Sequence, residues 1–406
     1  MSPAASLTMT PVGDWLAASL GTGSRLTFWP VPEALPIVTE YSPVLPVLAF
    51  SADGCWLAAA WPAGGQIRGQ GTTIRLLPLP GCSAQETWTL DGIEGRWQAI
   101  AFEPRGRYLV AAGDVVPVGK GRVYVVPLDG RPPRRLPGFP EGGLRGAAVS
   151  PSGRRVASGW GWGPGERTLH VWDVETGESR RLELPPPAGP AGEDWGVQSL
   201  SFVGESVLLT AGAGGIRRWD LESGFSEPVV ESRVDAAAGM AASADGRTVI
   251  LLEDLMGMTG QCGPVQLVRP GDGATRELTE FGDYIGSMAL DPSGTVAATG
   301  DTEGVLRVGR VDGGEPHLLF GHEGAIRYVA LSPDRRWVAS AGEDGTLRIW
   351  PMPDLDRPPI HTLPHDELMA TLRSLTNIRV VRDPESPRGW KVALDPFPGW
   401  AVRPEW

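Results

Sequence analysis

Residues 328–350 read YVALSPDRRWVASAGEDGTLRIW. Three short apolar runs are separated by two tight polar turns, the pattern of strands bounded by turn residues. The stretch is one copy of a repeat. Aligned on its first turn, the chain contains seven more: LTMTPVGDWLAAS, VLAFSADGCWLAAA, AIAFEPRGRYLVAAG, AAVSPSGRRVASG, LSFVGESVLLTAG, MAASADGRTVILLE and MALDPSGTVAATG. The position of Arg335 falls in them at Gly13, Gly54, Gly106, Gly153, Gly204, Gly246 and Gly294, with successive spacings of 41, 52, 47, 51, 42, 48 and 41 residues. Further apolar segments follow, such as TLHVWDVETG and GIRRWDLESG, so each unit carries three short strands before a fourth, weaker one.

A period in the forties with four strands per unit is the signature of a β-propeller blade, a small twisted sheet whose apolar faces are covered only by its neighbours. Such blades are not stable singly, so the repeats spanning residues 5–364 are expected to close into one ring, giving a propeller over 1–364 and a tail over 365–406. The direct count is eight four-stranded blades; seven is the alternative, with the first unit an orphan. No spare strand at the N-terminal end is expected to complete the last blade, and Pro359 to Pro364 reads as that blade's own outer strand. Composition agrees with an all-β chain. Glycine and proline make up 94 of 406 residues, a density that breaks long helices, while a hydrophobic fraction of 41% supports a core.

Gly321-His322, Ser340, Asp344-Gly345 and Trp350 resemble the WD-repeat propellers. That resemblance implies a hydrogen-bonded line of His322, Ser340, Asp344 and Trp350 inside one blade, a structural network in which a buried Asp finds its donors. Two other units keep Trp-Asp pairs, Trp172-Asp173 and Trp219-Asp220, whereas Trp29, Leu77, Val126, Val268 and Gly309 stand at related strand ends without the full set. The tail breaks the repeat. HDELMATLRSLTN reads as a short amphipathic helix and IRVVRD with WKVALDP as a hairpin around PESPRG, together packing on the propeller. The tail resembles the segment that follows propellers in large bacterial signalling proteins, some fused to kinases.

Net charge is −12, with 36 basic and 48 acidic residues. This is not the basic footprint of a nucleic-acid binder, and no apolar run approaches the length of a membrane helix. Cys55, Cys82 and Cys262 are spaced for neither a disulfide framework nor a zinc site, so a reducing, cytoplasmic setting is the expectation. No GxSxG, HExxH, Cys-x-x-Cys or phosphate loop is present. Asp53, Asp245, Asp291 and Asp334 recur in the tight turns, where turn chemistry explains them. The expectation is therefore a non-enzyme with no catalytic, metal or cofactor-binding residue.

Antiparallel strands place the connections alternately on two rims of the ring. One rim carries only short turns such as SADG and SPSG. The other carries the variable loops, and function usually sits on the variable side of a rigid scaffold. Trp61, Trp97, Trp160, Trp162 and Trp195 stand in or beside those loops as candidate exposed anchors. The residue matching Arg327, just before each innermost strand, is Ala5, Pro46, Gln98, Arg145, Gln198, Ala238, Gly286 and Arg327; the WD-repeat resemblance implies peptide binding there. Arg96, Gln98, Arg145, Trp195, Gln198, Tyr284 and Arg327 form the candidate protein-binding set, suited to an acidic or extended polypeptide. The functional expectation is a protein-interaction scaffold or sensor without nucleic-acid or membrane partners. Its alternatives are the regulatory arm of a bacterial kinase-type system, or a propeller enzyme with a small molecule in the channel.

Overall fold

Each repeat folds as its runs and turns dictate. In the last, Ile326–Leu331, Trp337–Gly342 and Thr346–Pro351 pair antiparallel in sequence order. The Ser332 hydroxyl closes the first turn, donating to Asp334 Oδ1 at 2.7 Å and accepting the Trp337 N–H at 2.8 Å. Ser51 does the same with Asp53 and Trp56, and Ser243 with Asp245 and Thr248. Turn chemistry thus occupies these aspartates. The turn needs one residue in the left-handed region; it is glycine at 54, 106, 153, 204, 246 and 294, and Arg335, with φ 58°, in the last repeat.

The computed structural model describes residues 4–9, 15–20, 26–30, 37–41, 46–61, 73–80, 82, 87–90, 96–115, 120–138, 143–162, 167–184, 196–212, 215–230, 236–254, 262–368, 370, 378–382 and 390–394. It is all-β, with seven four-stranded blades. Blade 1 comprises Val47–Phe50, Trp56–Trp61, Thr73–Pro78 and Trp88–Leu90, and blade 2 Arg96–Phe102, Tyr108–Val115, Lys120–Pro127 and Arg134–Arg135. Blade 3 comprises Gly143–Val149, Arg155–Trp162, Thr168–Asp173 and Ser179–Glu183, and blade 4 Val197–Val203, Val207–Gly212, Gly215–Asp220 and Ser226–Val230. Blade 5 comprises Ala236–Ala242, Val249–Asp254, Cys262–Arg269 and Ala274–Leu278, and blade 6 Ile285–Leu290, Val296–Asp301, Val305–Arg310 and His317–Phe320. Blade 7 takes its fourth strand from the other end of the chain: Ile37–Tyr41 is hydrogen-bonded to Thr346–Pro351.

That strand corrects the count of eight and the expectation that no N-terminal strand was available. The segment after Pro351 carries Pro353, Pro358 and Pro359, which cannot donate to a sheet ladder, and Ile360–Thr362 forms a 3-10 turn instead of an outer strand. The first repeat forms a separate three-stranded sheet of Ala4–Met9, Trp15–Leu20 and Leu26–Pro30.

The core lies in the seams between blades. Ala58, Ile74 and Leu76 of blade 1 cluster with Trp97, Ile100 and Leu109 of blade 2. Phe50, Leu57 and Leu77 of blade 1 cluster with Ala339, Leu347 and Ile349 of blade 7, which closes the ring. Burying both faces of every blade in this way removes the apolar surface that a lone repeat would expose.

The chain divides into two compact units. Val38–Met352 holds the propeller; Met1–Ile37 and Pro353–Trp406 form the other. Within the second are the three-stranded sheet, a helical stretch over 365–368 and an antiparallel pair, Ile378–Arg382 with Trp390–Leu394.

Cys55 and Cys82 form a disulfide, contrary to the reading of the cysteine spacings. Cys55 precedes the second strand of blade 1 and Cys82 follows the third, and the pairing of Trp56 with Pro78 brings those ends together. The cysteine argument for a reducing compartment loses its footing with this pair.

Candidate functional site: the bulged rim of the propeller

The tight turns interlock. Ser152 of blade 3 holds Glu205 of blade 4 through a hydroxyl bond of 2.8 Å, Ala244 N–H of blade 5 donates to Pro292 O of blade 6 at 2.8 Å, and Arg335 of blade 7 reaches Asp291 of blade 6 at 2.7 Å. The ends of the innermost strands that carry these turns therefore share one rim, and the beginnings of those strands share the other.

At that second rim the ladder is irregular in the same way in blade after blade. The register slips between Val197 and Ser199, between Ala237 and Gly239, between Ile285 and Ser287, and between Ile326 and Tyr328. In blade 2 it slips between Trp97 and Ala99, and in blade 3 between Leu144 and Ala147. The extra residues are Gln198, Ala238, Gly286, Arg327, Gln98 and the Arg145-Gly146 pair. A bulge leaves one residue out of the ladder and re-aims its side chain, a feature common at barrel rims and binding sites. In blades 2 to 7 the residues aligned with Arg327 are thus bulged, whereas the ladder of blade 1 after Pro46 runs without a shift.

Gln98 and Gln198 are half-buried. Tyr284, directly before the first strand of blade 6, is 55% exposed and holds φ 55° without being glycine. An exposed aromatic kept in the left-handed region is an outlier of the kind that gathers at ligand sites. Arg327 is engaged by Glu343, its Nη2 2.7 Å from Oε1, in a half-exposed pair. Sequence reasoning missed Glu343; the available signal was an acid directly after Gly342, where Asp301 follows Gly300 in blade 6 and holds Arg307. The backbones of Arg96 and Arg145 lie in the first strands of blades 2 and 3, while their side chains, Trp195 and the loops that follow Trp61, Val115, Trp162 and Asp254 lie outside the described residues. Trp97 and Trp160 are corrections: 1% and 5% exposed, they are seam core and not surface anchors.

The structure joins His322, Ser340, Asp344 and Trp350 into one line. His322 Nδ1 is 3.0 Å from the Asp344 carboxylate, His322 Nε2 is 2.7 Å from Ser340 Oγ, and the Trp350 indole N–H donates to the same oxygen at 2.9 Å. Burial pushes the Asp344 carboxyl upward, but Thr346, the His322 ring and the Glu323 N–H outweigh it and hold the group well below the carboxylate range. Burial pushes the His322 ring below its ordinary value. Blade 4 keeps half of this line, with the Trp219 indole donating to Thr210 Oγ1 at 2.9 Å. In blade 3 the Trp172 indole turns to Pro137 O, at 2.7 Å. The aspartates that follow these tryptophans cap the next turn, Asp173 accepting the N–H groups of Glu175 and Thr176, and Asp220 those of Glu222 and Ser223. A line with every donor satisfied in this way holds a blade together.

Residues 314–351 match the sequence family described as WD domain, G-beta repeat. The match covers the fourth strand of blade 6 and the first three strands of blade 7. The chain is 26% identical to WD repeat-containing protein 55 of Pongo abelii over 309 residues, which cover 65% of this chain and 76% of that protein. It is 26% identical to Telomerase protein component 1 of Rattus norvegicus over 205 residues, half of this chain but 7% of that protein. Against the ribosome biogenesis protein erb1 of Botryotinia fuckeliana, 33 residues are 46% identical, and they span 4% of that protein. These relatives are eukaryotic and give no support to the bacterial signalling tail or the kinase-arm alternative. Among the described residues no group of His, Cys, Asp and Glu could hold a metal ion, and no helix is long and apolar enough to cross a membrane.

Proposed function

We propose that this chain is a non-catalytic interaction scaffold that takes an extended, acidic polypeptide across the rim where the innermost strands begin. The observation that carries the reading is the bulge repeated at the head of those strands, which takes Gln98, Gln198 and Arg327 out of the ladder on the rim that also carries the exposed Tyr284. Amide and guanidinium donors on one rim with an exposed aromatic suit backbone carbonyls and carboxylates. Glu343 tunes the site. It holds Arg327 in place until a partner carboxylate competes for the guanidinium, which favours a ligand with more than one acid.

The similarity to WD repeat proteins supports a binding role for the propeller. On the opposite rim the turns interlock through Ser152 with Glu205 and Arg335 with Asp291, which supports placing the partner on the bulged side. The test is selection of a displayed random peptide library on the purified protein. Wild type should enrich acidic peptides, and Arg327→Glu with Tyr284→Ala should lose that enrichment, while Arg247→Glu on the turn rim should keep it. Equal enrichment by the rim variant, or no enrichment by wild type, would overturn the assignment.

A further inference from the structure

Cys55 directly follows the left-handed Gly54 and precedes the second strand of blade 1, and Cys82 lies between the third strand and the fourth. Their Cα atoms are 5.5 Å apart and both residues are half-buried, so the bond is within reach of a small reductant. The connection they close differs from its counterparts. In blades 3, 4 and 5 the third and fourth strands are joined by short turns, closed by Gly177 N–H to Asp173 O, Gly224 N–H to Asp220 O and Gly273 N–H to Arg269 O. In blade 1 the chain runs from Pro78 to Trp88 and is tied down at Leu79, whose N–H donates to Cys55 O at 2.9 Å and whose carbonyl accepts the Cys82 N–H at 3.3 Å.

Leu79 is not an ordinary loop residue. It is 2% exposed and belongs to the cluster of Leu57, Leu77, Ala339, Leu347 and Ile349, the core of the seam between blades 1 and 7. Gly54, on the other side of Cys55, lies so close to Asp334 of blade 7 that a Cβ would overlap its carboxylate. The disulfide therefore fastens both elements of blade 1 that meet blade 7 at this end.

We infer that Cys55–Cys82 is a redox-sensitive latch on the seam that closes the ring. A dithiol reductant supplies two electrons and two protons, the disulfide becomes two thiols, and the reductant leaves as its own disulfide. Leu79 then loses its covalent tie through Cys82, and the seam between blades 1 and 7 opens more readily than the others.

The test uses the full chain. Alkylation of the denatured, unreduced protein should modify one cysteine, and three after reduction. Reduction of the native protein with dithiothreitol should lower the thermal midpoint by about 5 °C and raise hydrogen exchange in residues 47–60 and 337–351, leaving 249–254 and 296–301 unchanged. The Cys55→Ser, Cys82→Ser variant should match the reduced protein and no longer respond to the reductant. Three alkylated cysteines before reduction, an unchanged midpoint, or exchange that rises evenly around the ring would each overturn the latch. If the variant does not fold, wild type with and without reductant decides the question alone.

Discussion

Blades 5 and 7 occupy equivalent places in one ring and are held together by opposite chemistry. In blade 7 Ser340 and Trp350 face each other through a hydroxyl that also meets His322, and Asp344 anchors the far end. In blade 5 the corresponding positions are Leu251 and Val268, 1% and 0% exposed, clustered with Leu209, Ile216 and Met240 of neighbouring strands. Both solutions leave the position buried. The polar one tolerates no missing member, because each buried donor or acceptor left alone costs its full desolvation, whereas the aliphatic one asks only for volume.

The largest effect expected from that contrast is on Asp344→Ala, which strands the His322 ring and the N–H groups of Glu323 and Thr346. Urea denaturation should show a loss of about 3 kcal/mol. Ser340→Ala removes a single oxygen and should still cost about 2 kcal/mol, because the Trp350 indole N–H loses its acceptor and His322 Nε2 loses its donor. Leu251→Met in blade 5, a larger chemical change, should cost less than about 1.5 kcal/mol. A Ser340 variant as mild as the Leu251 variant would show that the line contributes no more than packing.

The pH dependence sharpens the same comparison. Burial depresses the His322 pKa, so the folded state binds fewer protons than the unfolded state, and stability present above pH about 6.5 declines as pH falls below it. Asp344, also depressed, adds a second loss as pH drops below about 4. Denaturation midpoints at pH 7.5 and 5.5 should differ in wild type, and His322→Gln should flatten that part of the profile.

Among the described residues, two hold left-handed backbone without being glycine, Tyr284 and Arg335, and they lie on opposite rims. Arg335 is compensated: its guanidinium engages Asp291 Oδ2, the Ser293 hydroxyl and Thr295 Oγ1 of blade 6. Arg335→Ala keeps the strain and loses the bridge, so it should be less stable than Arg335→Gly by about 1 kcal/mol in chemical denaturation. The Tyr284 side chain is 55% exposed, so Tyr284→Gly should gain about 0.5 kcal/mol while weakening peptide binding. A glycine there that left binding intact would remove Tyr284 from the site.

The fold was legible where turn chemistry and apolar spacing repeat. The left-handed turn position recurs at every glycine aligned with Arg335 in the seven blades, and the His-Ser-Asp-Trp line is written out in blade 7. The candidate rim was half legible. Alignment located Gln98, Gln198 and Arg327, but that these residues are bulged is a property of pairing with the neighbouring strand. Trp97 and Trp160 were misread as anchors because neighbouring glycines and prolines suggest loops, while burial depends on the facing blade.

Local sequence determined the strands, the turns and the period, because those depend on residues a few positions apart. The tertiary structure alone decided that Ile37–Tyr41 leaves the first repeat to complete blade 7, that the ring holds seven blades instead of eight, and that Cys55 meets Cys82. The physical reason is common to all three. Ring closure and cross-linking are settled by which distant edges and side chains meet once every seam is buried, and such meetings carry no local signature in the chain.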